Sequence, residues 1–286
     1  MFTAMAIVYG VLSMVGYGLA NVTAQPLAKK LGPAQLLFLR GFAGAGVLAV
    51  GAAATWRPHM HAGQILLALG IGAAGYLPVL AFTQGIRVSR ISIVAPVSGT
   101  SPLITVLLSF LVLGSPIHTL QWGAIAVVIG ANIAMSVDVR NWRNSSIAQL
   151  SSGVPFALMA AVGWGCFYFL LVYAAKWLGP WLSAFLVEVG VTLAAGVHLL
   201  VSGQHVQLRA AVSRPVIINS LLITLGTIAY AIGVSRYNVG VVAVLSNSTA
   251  IVSAVAATYL FHEHLTKKEK QAAAVMIAGV IALTVF

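Results

Sequence analysis

Ten apolar runs of about 20 residues follow one another along this chain with almost nothing between them. They fall at approximately 4–24, 34–55, 64–86, 91–113, 120–137, 153–175, 181–201, 215–235, 239–261 and 270–286. A helix needs about 20 such residues to cross a hydrocarbon core of about 30 Å. Ten of them in 286 residues leave no room for a soluble domain. The runs are continuous and rich in Ala, Leu, Val and Gly, without the period-2 alternation of barrel strands. Helices satisfy every backbone group within the segment itself. The expected class is therefore all-α integral membrane, with ten transmembrane helices. Charged residues make up 7% of the chain, against about 25% in soluble domains, and mean hydropathy is +1.01. This excludes a soluble enzyme, a disordered chain and a disulfide scaffold. The first run lacks a basic lead-in and a clear cleavage site, so it reads as a retained span. The lone Cys166 reads as a small core residue.

The net charge of +11 does not point to nucleic acid, because the basic residues sit singly or in pairs between apolar runs. They sort by side instead. Alternate loops hold Lys29, Lys30, Arg87, Arg90, Arg140, Arg143, Arg209, Arg214, Lys267, Lys268 and Lys270, and the others hold Arg57, Lys176 and Arg236. The positive-inside rule places the rich side in the cytoplasm and both termini outside.

The chain is duplicated. Val15-Gly16-Tyr17-Gly18 returns as Val162-Gly163-Trp164-Gly165, and Lys30-Leu31-Gly32-Pro33 returns at the same offset as Trp177-Leu178-Gly179-Pro180. Arg87 and Arg236 open segments 4 and 9, and Gly130 matches Gly279. The division is 1–137 for the first five-helix repeat, 138–152 for a connecting loop and 153–286 for the second repeat. Five is odd, so the halves insert with opposite orientation. Two inverted five-helix repeats around a central cavity are a transporter architecture, with the substrate near the midplane.

Polar groups at bilayer depth mark the candidate site, because they are costly there and face a cavity or another helix. Ser13, Tyr17, Asn21 and Gln25 recur every fourth residue and form one stripe. The repeat carries Tyr17 to Trp164 and Asn21 to Tyr168. Segment 4 holds Pro96, Ser98, Thr100, Ser101, Pro102 and Thr105, where proline breaks the helix ladder. Segment 9 answers with Ser246, Asn247, Ser248 and Thr249. Tyr76, Gln84 and Tyr230 complete the binding candidates. The same Ser and Thr side chains also serve as helix–helix glue. Arg40 and Glu188 lie about two turns into segments 2 and 7. Arg40 either snorkels to the headgroups or meets a substrate carboxylate, and Glu188 either is paired or carries a proton. His198 reads as interfacial. Glycines 41, 44, 46, 70, 72 and 75 let helices approach closely. His262-Glu263-His264 lacks further ligands for a metal. No Walker sequence, nucleophile–base pair, haem pattern or dinucleotide fingerprint is present, so neither an enzyme nor a cofactor is expected.

These features together resemble the drug/metabolite transporter superfamily, specifically its EamA-type exporters. The resemblance rests on Tyr17-Gly18 and Trp164-Gly165, on Arg40, and on Pro102 running to Leu113-Gly114. It rests further on Gln121, Gly123 and Gly130, and on Glu263-His264-Leu265-Thr266 with Gly279 beyond. Ser115, Ala250 and His262 depart from the family pattern. The resemblance implies a secondary carrier in a bacterial-type inner membrane working by alternating access, with both termini inside; Glu188, the only acid at depth, makes protons the coupling-ion candidate. A monomer suffices. The leading expectation is export of small amphipathic metabolites, above all amino acids. The alternatives are a lipophilic-cation exporter and, from another class, a channel or a lipid-handling component.

Overall fold

The computed structural model describes residues 2–55, 61–113, 119–136, 153–237 and 239–261, with isolated helical positions in 267–279. Among these the secondary structure is helical. The chain runs through α1 (Phe2–Leu31), α2 (Pro33–Ala54), α3 (Ala62–Val88), α4 (Ile91–Ser98), α5 (Ser101–Leu113) and α6 (Thr119–Ser136). It continues through α7 (Val154–Leu178), α8 (Pro180–Val201), α9 (Arg214–Arg236), α10 (Val239–Asn247) and α11 (Thr249–Phe261). A short 3-10 turn, Leu208–Val212, precedes α9. Six helices, α1, α2, α3, α7, α8 and α9, are each long and apolar enough to cross a membrane. The other four expected spans are not among these six. Segments 4 and 9 are each two short helices, segment 5 is α6 with 18 residues, and most of segment 10 lies outside the described residues. So do the 138–152 loop, Arg57, Ser115 and the His262-Glu263-His264 motif.

Among the described residues, α1 to α5 each have a counterpart in α7 to α11. α2 and α8 are both 22 residues long and start 147 positions apart, at Pro33 and Pro180. Each follows a glycine with positive φ, 84° at Gly32 and 78° at Gly179. That backbone suits glycine, and the proline behind it is preset for the first helical turn. α5 and α11 are both 13 residues long. The inversion follows from three contacts. The Gln25 side chain, near the C-terminus of α1, donates to the Ile86 and Ser89 carbonyls at 3.3 and 3.1 Å. A Cβ on Gly153, just before α7, would meet Ser89 at 2.8 Å. The end of α1 and the start of α7 thus share one face of the bundle, so equivalent helices run in opposite directions. α1 packs on α9, α3 on α7, and α2 on α8.

Three local expectations are corrected. Segment 1 continues to Leu31 rather than ending near residue 24, because the strong stop is Gly32-Pro33 and the internal Pro26 is tolerated. The Thr23 hydroxyl donates back to the Leu19 and Ala20 carbonyls in that turn. Arg87 and Arg236 close α3 and α9 instead of opening the next segments. Their helices run on to the interface, where a cation near the C-terminus is favourable. Cys166 is exposed rather than core, since α7 turns Gly165 inward and the next residue outward.

Helices in lipid gain little from apolar burial, so close packing and hydrogen bonds hold them together. The duplicated aromatic-Gly pair serves both. A Cβ on Gly18 would lie 2.5 Å from Val252 of α11, and one on Gly165 would strike Ile104 of α5. The absence of those methyls brings each short helix in. Ser253 then donates to the Gly18 carbonyl at 3.1 Å and Thr105 to the Gly165 carbonyl at 3.0 Å. These are the same bond in the two repeats. Gly72 and Gly190 form the α3–α8 contact, and Gly41 and Gly44 face α8 and α9. Gly46 and Gly70 face open space, so they are not packing glycines.

Candidate functional site

The breaks in segments 4 and 9 face the middle of the bundle. α4 stops at Ser98 and α5 starts at Ser101; α10 stops at Asn247 and α11 starts at Thr249. The first break falls between Pro96 and Pro102, and the second has no proline. Small hydroxyl residues are common to both, and they bond their own turn. Ser98 donates to the Ala95 carbonyl at 3.0 Å and Thr100 to the Val97 carbonyl at 2.8 Å.

Around these breaks lies a cavity of about 70 Å³. Tyr17, Asn21, Arg40, Ser98, Ser101, Trp164, Tyr168, Glu188 and Ser246 line it, together with Thr83, Thr227, Thr249, Phe82 and Phe167. An apolar cavity of ~150 Å³ holds a benzene, so a larger substrate requires the helices to part.

One wall is aromatic. Tyr17 and Tyr168 meet edge to face with ring centres 6.4 Å apart, and Phe82 tilts against Trp164 at 5.0 Å. The Tyr17 hydroxyl donates to Thr227 Oγ1 at 3.1 Å. Gly226 makes room for the Tyr17 ring; a Cβ there would come within 2.7 Å of it.

The same cavity carries charge. Arg40 of α2 is 6% exposed and Glu188 of α8 is 7% exposed. Each lies in the other's field. A headgroup-seeking Arg40 is ruled out by its burial. The Glu188 carboxylate lies over the glycine face of α2, where methyls on Gly41 and Gly44 would approach Oε1 at 3.4 and 3.7 Å. Ser220 donates to the Arg40 carbonyl at 2.6 Å, and Thr192 to the Glu188 carbonyl at 2.7 Å. These bonds hold the two backbones. Among the described residues, the Arg40 Nε and the Thr224 hydroxyl are buried without a hydrogen-bond partner.

The other described candidates do not line the cavity. Ser13 bonds the Gly226 carbonyl and Ser246, tying α1 to α9 and α10. Gln25 ties α1 to α3. Tyr76 pairs with His198 Nδ1 at 2.8 Å. Gln84 lines an outer groove. Tyr230 is fully buried behind Tyr168, its hydroxyl donating to the Tyr168 carbonyl at 3.4 Å. Ser248 sits in the turn between α10 and α11, its amide bonded to the Leu245 carbonyl. The side chains of Asn247, Pro96 and Pro102 are outside the described residues. Thr83, Thr227, Phe82 and Phe167 went unmarked in the sequence. The repeat offset leads from Ser101 to Thr249, but nothing comparable marks Thr83 or Thr227. Among the described residues, no three His, Cys, Asp or Glu side chains come together as a metal site.

The model of the EamA-like transporter family matches residues 4–137 and again 151–285. The chain belongs to the EamA-like transporter family. It is thus a multi-pass membrane protein of the drug/metabolite transporter superfamily, built from two EamA repeats rather than as an enzyme. Among curated proteins none matches this sequence. A solved structure described only as "Crystal structure of protein" shares the EamA fold seen here, with a TM-score of 0.71 at 15% identity. The match covers 99% of this chain and 96% of that one.

Proposed function

We propose that this EamA protein is a secondary carrier that exports small, net-neutral dipolar metabolites, with amino acids as the foremost class. The observation that supports this is one cation and one anion, Arg40 and Glu188, lining the same cavity as the aromatic rings of Tyr17, Trp164 and Tyr168. A charge taken out of water is costly unless it is met by its opposite. A lipophilic cation gains from Glu188 but is opposed by Arg40, and an anion meets the reverse. A zwitterion aligned between them gains from both, and its side chain rests on Tyr17 and Trp164. Asn21, Ser98, Ser101 and Ser246 supply hydrogen bonds. Substrate entry and release require α2 and α8 to separate from the aromatic wall, which is the alternating-access step.

Counterflow in proteoliposomes tests the reading. Vesicles loaded with unlabelled amino acids are expected to accumulate a labelled one saturably. Asn21→Ala is expected to weaken uptake about 2–10-fold, the worth of one hydrogen bond. Trp164→Ala is expected to weaken it at least tenfold, because a buried aromatic contact is lost. No accumulation of any amino acid by folded protein overturns the reading, and accumulation of tetraphenylphosphonium in its place establishes the cation exporter.

For orientation we infer a cytoplasmic Lys/Arg-rich end in a bacterial-type plasma membrane. In a Cys166→Ser background, an impermeant maleimide is expected to label Thr55→Cys in intact cells and Lys30→Cys only after lysis. The opposite pattern overturns the assignment.

A further inference from the structure

Two grooves lie outside the central cavity, at the end where α1 and α3 finish. One has a volume of about 560 Å³ and the other about 690 Å³, and both are lined by Lys29 and Arg87. Arg90 joins the first and Lys30 the second. Among the described residues no acid lines either groove. Of the four acids in the chain, Glu188 is in the central cavity, and Asp138, Glu263 and Glu269 lie outside the described residues. Four cations therefore converge without a neutralising carboxylate among the described residues.

Cations near helix C-termini favour the helix dipole and satisfy the positive-inside rule without any ligand. Two observations go further. First, the cations are positioned by rigid elements. Gln25 clamps the end of α1 to the end of α3, and the Gly32 turn carries the chain from Lys30 into α2. Second, the larger groove continues down the membrane-facing side as an apolar trough with Leu77, Leu80, Phe156 and Met159 in its walls. Leu77 is 65% and Met159 64% exposed. Leu77 lies ten residues before Arg87 on α3, which is about 15 Å along a helix. That is half of a hydrocarbon core of about 30 Å, the depth of one leaflet. The arrangement is a cationic head site above an apolar tail site of one-leaflet length.

We propose that this groove binds an anionic phospholipid, its phosphate between Lys29 and Arg87 and its chains against Leu77 and Met159. Basic pockets between transmembrane helices recognise anionic head groups in this way. A soluble anion would use the head site alone, and a neutral lipid the trough alone. Bound lipid would join α1, α3 and α7 at the end where α1 and α3 finish.

The test is native mass spectrometry of the full chain released from nanodiscs of dioleoyl phosphatidylcholine with dioleoyl phosphatidylglycerol. The wild type is expected to retain one phosphatidylglycerol in preference to phosphatidylcholine. Lys29→Gln/Arg87→Gln is expected to lose that preference at least tenfold. Arg209→Gln/Arg214→Gln, equal in charge and on the same end, is expected to keep it. Leu77→Gln/Met159→Gln is expected to weaken retention with every cation in place. Equal loss in both charge variants reduces the effect to net charge and overturns the proposal. So does full retention in Lys29→Gln/Arg87→Gln or in Leu77→Gln/Met159→Gln, or displacement of the lipid by millimolar inorganic phosphate. Unchanged thermal melting in detergent establishes that each variant is folded.

Discussion

Arg40→Gln and Glu188→Gln are each expected to lower stability by about 3–5 kcal/mol, the cost of leaving one buried charge without its partner. Each is also expected to reduce amino-acid counterflow by about 10–150-fold, the loss of one charge-assisted hydrogen bond of about 1.5–3 kcal/mol. The double variant Arg40→Gln/Glu188→Gln separates the two effects. It removes both charges, so thermal unfolding in detergent is expected to return most of the way to wild type while counterflow stays lost. Burial sets these magnitudes. Arg40 and Glu188 line one small cavity at 6% and 7% exposure, and among the described residues the Arg40 Nε has no hydrogen-bond partner. Recovery of both stability and transport in the double variant would show that the pair is a structural element with no part in binding.

Gly16→Val is expected to lower stability by at least about 1–3 kcal/mol, the typical cost of overpacking. A Cβ at Gly16 would lie 2.7 Å from the Gly226 amide nitrogen and 2.9 Å from the Leu222 carbonyl of α9. Neither is a side chain that can swing away, so α1 and α9 must separate. Overpacking of this kind typically costs about 1–3 kcal/mol, and here it also disturbs the Ser13 bond to Gly226 and the seat of the Tyr17 ring. Gly46→Ala and Gly70→Ala are the controls, because nothing lies within 4 Å of a Cβ at either position. They are expected to be neutral or stabilising by up to about 1 kcal/mol, the helix-propensity gain of alanine over glycine. Size-exclusion profiles and melting curves of the three variants decide it. A Gly16→Val protein that purifies and melts like the wild type would contradict the close packing of α1 on α9.

The two glycine sets look alike along the chain, and only the neighbouring helix tells them apart. The same holds for the polar stripe of α1. Its spacing shows four residues on one face, yet Ser13 and Gln25 tie helices together while Tyr17 and Asn21 reach the cavity. A face of a helix this long passes several neighbours, and what each residue meets depends on where those neighbours cross. Tyr76 and Tyr230 differ from Tyr168 for the same reason. Their hydroxyls have partners away from the cavity, which no spacing along the chain records.

What the sequence by itself determined is the membrane class, the duplication and the opposed orientation of its halves. These follow from local rules acting along one chain: apolar length against bilayer thickness, a repeated Gly-Pro stop, and an odd number of expected spans per repeat. It also marked Arg40 and Glu188 by their cost at depth. The tertiary structure alone decided that these two charges share a cavity, that the matched breaks in segments 4 and 9 face it, and which hydroxyls are glue. Those are pairings between residues up to 235 positions apart. They are set by which glycines let two helices approach, and that depends on both surfaces at once.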